Sequence, residues 1–170
     1  MPKIIENLEK RLLDEAKNQI ASSGYATVTI RSVAKECGVG VGTVYNYFPS
    51  KDALIATAIL EDWKACLSTI QAVSEMADQA ETVCRCIYEN LQHFADLHAS
   101  VFQDEAAAAG FAGSFSQYHS MLRSQLAQPL RKFCSDDYSS EFLAEALLTW
   151  TMHGQNFDTL YAILQKILQE

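Results

Sequence analysis

No uninterrupted apolar run in this chain approaches the ~18 residues that a bilayer-crossing helix requires. The amino end, Met1-Pro2-Lys3-Ile4-Ile5-Glu6, also lacks the apolar stretch of a secretory signal. The expectation is a soluble cytoplasmic protein with no membrane partner. Internal repeats and low-complexity linkers are missing too. Strand-like alternation is confined to Ala26-Thr27-Val28-Thr29-Ile30, which has nothing to pair with and is read as the lead-in to a helix. The five cysteines are an odd number, and without an export signal the default is reduced thiols packed as small hydrophobes.

The marks of catalysis and metal binding are absent as well. The chain has no Glu-x-x-His, no His-Glu-x-x-His, no phosphate loop and no nucleophile elbow. Cys84 and Cys86 stand two apart, which on a helix of 3.6 residues per turn separates them by about 200°, so one zinc ion does not readily take both. His93, His98, His119 and His153 are scattered. No enzyme, no metal and no cofactor are expected.

A wholly basic surface is also lacking. The formal net charge is −8, but it is unevenly divided. Residues 1–52 hold seven Lys/Arg against six Asp/Glu, whereas residues 53–170 hold six against fifteen. The acidity belongs to the body, and Arg31, Lys35 and Lys51 cluster in a nearly neutral head. Non-specific affinity for a polyanion is therefore modest and salt-sensitive.

What is present is helical periodicity, and the apolar fraction of 49 % is enough for a sizeable core. Ile5, Leu8, Leu12, Ala16 and Ile20 predict a first helix from about Ile4 to Ser22, closed by Gly24. Thr29 offers an N-cap to a second helix whose inner side is Ile30, Val33, Ala34 and Cys37, and Gly38 ends it. Val39 is expected to plug the core before a third helix over Val41–Phe48, with Val44 and Phe48 inward. Pro49 cannot continue that helix, and Ser50 caps a long one from Lys51 to about Val73. Further helices are predicted around Val83–Leu97, over Glu105–Gly113, and over Phe115–Phe133 with a kink or interruption at Pro129. One more, capped by Ser139 or Ser140, stops at Gly154; the last is capped by Asn156 and carries Leu160–Leu168. The fold class is all-α.

The most informative stretch is Thr29–Lys51. It reads as a short helix, a turn in which Gly38, Gly40 and Gly42 permit sharp bending and close approach, and a second short helix exposing hydroxyls, an amide and phenols. This is the layout of a helix-turn-helix aimed at a DNA major groove. Hydroxyls and phenols donate to phosphate oxygens, and an Asn amide pairs with an adenine edge.

Thr29-Ile30-Arg31-Ser32-Val33-Ala34, followed by Gly38-Val39-x-x-Gly42-Thr43-Val44-Tyr45-x-Tyr47-Phe48-x-Ser50-Lys51, resembles the N-terminal signature of the TetR family of transcriptional regulators. The resemblance is close over roughly residues 8–55. It implies an N-terminal three-helix DNA-binding domain over residues 1–50 and a helical ligand-binding and dimerisation bundle over residues 51–170. The implied function is that of a homodimer on a palindromic operator in double-stranded DNA, usually a repressor released by a small-molecule effector. By position, Thr29, Thr43, Tyr45, Tyr47 and Lys51 match sites that touch the DNA backbone, and Arg31, Val41, Gly42 and Asn46 match sites that reach bases. Gly40 departs from the Ser or Thr cap common in the family, and Val41 stands where many members carry a polar or basic residue.

In the body, Leu143, Leu147, Trp150, Leu160, Ile163, Leu164 and Ile167 are the candidates for the dimer interface, since a symmetric pair of helical hairpins makes a four-helix bundle. Candidate effector-pocket aromatics are Trp63, Tyr88, Phe94, His98 and Phe102, followed by Phe111, Phe115, Tyr118 and Trp150. Control of the same fold by a partner protein or by thiol oxidation is the alternative, as is a helical carrier or enzyme that retains the head.

Overall fold

The computed structural model describes residues 7–111 and 115–168, with the side chain of Phe115 outside the described part. Among these residues there are ten α-helices, two 3-10 turns and no strand. The α-helices are α1 (Leu8–Ser23), α2 (Ile30–Glu36), α3 (Val41–Tyr47), α4 (Lys51–Met76), α5 (Ala80–Leu97), α6 (Ala99–Phe102), α7 (Glu105–Phe111), α8 (Phe115–Leu130), α9 (Asp137–Met152) and α10 (Phe157–Leu164). By contacts the chain forms two compact units, Met1–Asp62 with Leu97–Ala112, and Trp63–Asp96 with Gly113–Glu170. The part of α4 up to Asp62, nearly half of the helix, belongs to one unit and the remainder to the other.

In the first unit α1 buries Leu8, Leu12, Leu13, Ala16 and Ile20, the three-to-four spacing that the sequence predicts. Its expected start near Ile4 falls outside the described residues. Gly24 closes it at φ 80°, donating its N–H to the Ile20 carbonyl. A 3-10 turn over Tyr25–Thr27 then turns Tyr25 inward and leads through extended Val28 to Thr29. Thr29 caps α2 reciprocally: the Ser32 N–H donates to Thr29 Oγ1 at 2.9 Å and the Thr29 N–H donates to Ser32 Oγ at 3.0 Å. Val33 and Ala34 lie in the core, and Val39 packs partly buried against it.

The same core takes in Val101 of α6 and Ala107 of α7, with Phe111 packed against it. No helix at Ala99–Phe102 was foreseen in the periodicity. Gly110 lies inside α7, and a Cβ there would come within 3.1 Å of Asp52 Oδ2. The missing side chain is what lets α7 sit against the first turn of α4.

In the second unit Trp63, Ile70, Val83, Ile87, Leu91, Leu126, Leu130, Leu143 and Leu147 form the interior. Three sequence expectations are corrected there. Pro129 does not interrupt α8, which continues to Leu130 and then tightens into a 3-10 turn over Arg131–Phe133. The Pro129 carbonyl instead accepts from the buried Ser74 hydroxyl at 3.2 Å. The cap of α9 is Asp136, whose carboxylate accepts from the Ser139 N–H at 2.8 Å, so Ser139 and Ser140 lie within the helix. Asn156 caps α10 as predicted, but α10 ends at Leu164 and Ile167 and Leu168 follow in turns.

Candidate nucleic-acid interface

Seven residues cannot hold a helix by themselves, because nucleation is costly and few hydrogen bonds repay it. Burial of Val44 and Phe48 holds α3 against the head, and these two are its inward contacts. Everything else it carries is turned outward or half-buried. Tyr45 is 52 % exposed, Tyr47 45 % and Val41 36 %, with Asn46 exposed and Thr43 half-buried.

The turn needs only one of its three glycines for conformation. Gly38 stands at φ 68°, in the left-handed region where a side chain is strained. Gly40 has an ordinary φ of −71°, and Gly42 is helical. A Cβ at Gly42 would meet nothing within 4 Å, and one at Gly40 would meet only Thr43 Oγ1 at 3.8 Å. The expectation that all three serve the bend is corrected. Gly40 and Gly42 leave bare backbone on the outer side.

The surroundings are sparsely charged. No Asp, Glu, Lys or Arg lies between Glu36 and Lys51. Arg31 and Lys35 are exposed on α2. The Lys51 ammonium donates to the Tyr25 carbonyl and sits 3.9 Å from the centroid of the Tyr25 ring. Burial lowers the pKa of Lys51 from the usual lysine value, against the opposing pull of Asp52 and Asp104. Thr29 is exposed, with its hydroxyl engaged in the α2 cap. The nine residues matched to DNA contacts thus all lie in the first unit, seven of them exposed and Thr43 and Lys51 half-buried.

The body aromatics fall in both compact units. His98, Phe102 and Phe111 lie in the first unit. There His98 Nε2 is 3.2 Å from Asp62 Oδ2, while Lys17 donates to Asp62 Oδ1 at 2.6 Å. Trp63, Tyr88, Phe94, Tyr118 and Trp150 lie in the second unit. Trp63 packs edge-on against Phe94 at 5.4 Å and donates its indole N–H to Gln125 Oε1 at 2.7 Å. Tyr88 packs at a tilt against Phe157, with ring centroids 5.3 Å apart, and donates to the Gln155 carbonyl at 2.8 Å. Trp150 is half-buried, and its Nε1 finds no hydrogen-bond partner among the described residues. The side chain of Phe115 is outside the described part. A groove of about 360 Å³ lined by Lys64, Leu67, Ile70, Gln125 and Pro129 uses none of the nine candidates.

Among the interface candidates, Leu143, Leu147, Leu160 and Leu164 are buried within the chain itself. Ile163 is exposed, and Trp150 and Ile167 are half-buried. The sequence reading missed Tyr138, Phe142 and Met152, which are 84 %, 57 % and 43 % exposed on one side of α9. Their spacing of four and ten residues was the available signal, since it keeps all three within a narrow arc of a helix.

Burial pushes the thiols of Cys37, Cys86 and Cys134 up from the ordinary cysteine value, and that of Cys84 to about 12. Protonated thiols are poor nucleophiles. Among the described residues no group of three His, Cys, Asp or Glu side chains is placed to hold a metal ion, and no helix is long and apolar enough to cross a membrane.

The profile of the family described as bacterial regulatory proteins, tetR family, matches residues 12–58, which span α1, α2, α3 and the start of α4. The HTH-type transcriptional regulator YuxN of Bacillus subtilis (strain 168) is 29 % identical over 93 residues, covering 52 % of this chain and 32 % of its own length. The HTH-type transcriptional repressor KstR of Rhodococcus jostii (strain RHA1) is 40 % identical over 55 residues, or 32 % of this chain and 26 % of its own length. The chain thus spans a third or less of these curated relatives. Two solved structures share the fold along nearly all of both chains. The transcriptional regulator SCO7518 of Streptomyces coelicolor A3(2) superposes with a TM-score of 0.73 at 16 % identity, covering 96 % of this chain and 99 % of that one. The TetR family repressor AlkX of Dietzia sp. strain DQ12-45-1b gives 0.66 at 15 % identity, covering 94 % and 98 %. At such identities the likeness is one of fold.

Proposed function

Because this chain belongs to the TetR family of transcriptional regulators, which are not enzymes, we propose that it is a cytoplasmic, ligand-responsive repressor binding a palindromic operator as a homodimer. The observation that carries the reading is α3, with Val44 buried under it and Tyr45, Asn46 and Tyr47 facing outward. A rod held by its inner side and bare on its outer side is what a major groove receives. Thr29, Thr43, Tyr45, Tyr47 and Lys51 would hold the sugar-phosphate backbone, and Arg31, Val41, Gly42 and Asn46 would face bases. The Lys51 ammonium has three N–H donors, so a phosphate contact would be compatible with its bond to the Tyr25 carbonyl.

Dimerisation would use the outer side of α9 and α10, where Tyr138, Phe142, Met152 and Ile163 supply exposed apolar area beside Trp150 and Ile167. The buried Leu143, Leu147, Leu160 and Leu164 would support that surface from within the chain. Two-fold symmetry would set two copies of α3 about one turn of duplex, ~34 Å, apart. An effector that prefers the shape unable to meet both half-sites would release the DNA, with α4 as the connecting element; equal preference would shift nothing. In the second unit the unpartnered Trp150 N–H is a donor that an effector oxygen would satisfy. A small molecule is the favoured input over oxidation of Cys37, Cys84, Cys86 or Cys134, because burial raises their thiol pKa values and disfavours thiolate chemistry.

The test is binding of the full chain to duplexes selected from a genomic library at physiological salt. Tyr45→Ala with Asn46→Ala is expected to weaken binding about tenfold or more while leaving the thermal melt unchanged. Unchanged binding refutes the assignment. A metabolite screen by thermal shift addresses the effector separately.

A further inference from the structure

We infer that α3 reads its half-site through the 5-methyl group of a thymine, with Val41 as the contacting residue; this rests on the reading that α3 enters a major groove. Each base pair offers that groove hydrogen-bonding atoms, and thymine alone among the four bases also offers an apolar group. The outer side of α3 is built for the latter. Val41, the first residue of α3, is 36 % exposed. On either side of it stand Gly40 and Gly42, where an added Cβ would meet at most Thr43 Oγ1 at 3.8 Å. The valine therefore stands clear of its neighbours, with room on both sides for a base edge to approach the backbone.

The charge-assisted readouts are closed to this segment. With no Lys or Arg between Glu36 and Lys51, α3 cannot fork onto guanine O6 and N7. With no Asp or Glu there, it cannot accept from the cytosine amino group. For a bidentate contact α3 has the Asn46 amide, whose donor and acceptor suit adenine N7 and N6, while the hydroxyls of Thr43, Tyr45 and Tyr47 suit any base edge or a phosphate. An apolar knob and an amide together select A·T pairs, the valine on one strand and the amide on the other or at a neighbouring step. A guanine contact would have to come from outside this segment, for which Arg31, exposed on α2, is a candidate.

The experiment begins with a duplex selected by the full chain from a random pool. Each thymine is then replaced singly by deoxyuridine, which removes the methyl and leaves the pairing edge intact. Affinity is read by fluorescence anisotropy. One thymine per half-site is expected to show a loss of about fourfold, the worth of one buried methyl-sized group. Val41→Ala is expected to abolish that penalty while deoxyuridine elsewhere behaves as before; a melt by circular dichroism checks that this exposed substitution leaves the fold intact. Restoring the methyl by a 5-methylcytosine·guanine pair at the same step is expected to recover part of the loss relative to plain cytosine. The inference is overturned if no thymine shows a methyl-dependent loss, if the loss persists in Val41→Ala, or if guanine is required opposite residue 41. Failure to select any duplex over random DNA would instead overturn the regulator reading on which it rests.

Discussion

Tyr25 ties the head together from a position that reads, in sequence, as a residue after a helix-closing glycine. Its ring is buried under the Lys51 ammonium, its carbonyl accepts from that ammonium, and its hydroxyl donates to Asp52 Oδ1. Burial, and then the hydrogen bond to the Asp52 carboxylate, raise the Tyr25 pKa above the usual tyrosine value of 10.0. A folded-state pKa above the unfolded one contributes stability that is complete below the unfolded value and lost as pH rises beyond it. The melting temperature is therefore expected to fall as pH rises above about 10, and Tyr25→Phe should flatten that part of the fall. At neutral pH the same variant is expected to cost about 1 kcal/mol, the worth of the lost hydrogen bond, as read by urea denaturation. Alkaline curves that coincide for the two proteins would contradict this account.

At the same scale the sequence was legible where one backbone angle depends on one residue type. Gly38 was read as a helix terminator and stands in the left-handed region. Gly40 and Gly42, read with Gly38 as permitting a sharp bend and close approach, do not stand there, because a glycine in sequence says that no side chain is needed, not whether the reason lies in the chain or outside it. Tyr25 itself was illegible. Its partner Asp52 is 27 residues away, and only the packed head brings the two together.

Among the elements, periodicity recovered α1, α2, α3, the start of α4, and the existence of α5, α8, α9 and α10. Caps were harder. Ser135, Asp136, Asp137, Ser139 and Ser140 all stand near the start of α9, and local chemistry does not choose among them. The choice falls to Asp136, whose carboxylate meets the Ser139 N–H while the buried Ser140 hydroxyl turns back to the Asp137 carbonyl. Backbone hydrogen bonding from Ser139, with the neighbouring hydroxyls, holds the Asp136 carboxyl below its usual pKa. Asp136→Ala is expected to destabilise the chain through loss of the cap, and Ser139→Ala by clearly less; equal effects in denaturant titrations would return the cap to the serine. The α7 helix supplies a second test. In Gly110→Ala the new methyl meets the Asp52 carboxylate, so the gain in helix propensity of about 1 kcal/mol should be cancelled or reversed in the melt. A plainly more stable variant would show that α7 does not depend on that close approach.

For the molecule as a whole, charge and exposed apolar area make separate demands. The negative charge resides in the body, with fifteen Asp/Glu against six Lys/Arg over residues 53–170, and the cations near α3 are Arg31, Lys35 and Lys51. Three such cations in each of two heads would neutralise at most six phosphates, so the slope of log K against log salt should be no steeper than about −5. A steeper dependence would place further basic residues on the DNA. On α9, Phe142→Asp puts a charge on a surface exposed in the single chain. It should leave the fold intact, give a monomer by sedimentation, and reduce operator affinity well beyond tenfold, because the half-sites would then be bound one at a time. A variant that remains a dimer would move the interface elsewhere.

The head is discontinuous along the chain. Val101 and Ala107 share a core with Leu12, Val28 and Leu54, yet 34 residues of the other compact unit, Trp63–Asp96, are threaded between. A fragment cut after Asp62 would uncover part of that shared interior and should melt earlier than its four helices suggest. Anyone transplanting this reader onto a foreign sensor must carry Leu97–Phe111 along as a second graft, and chance recombination between such regulators faces the same constraint at two crossover points instead of one.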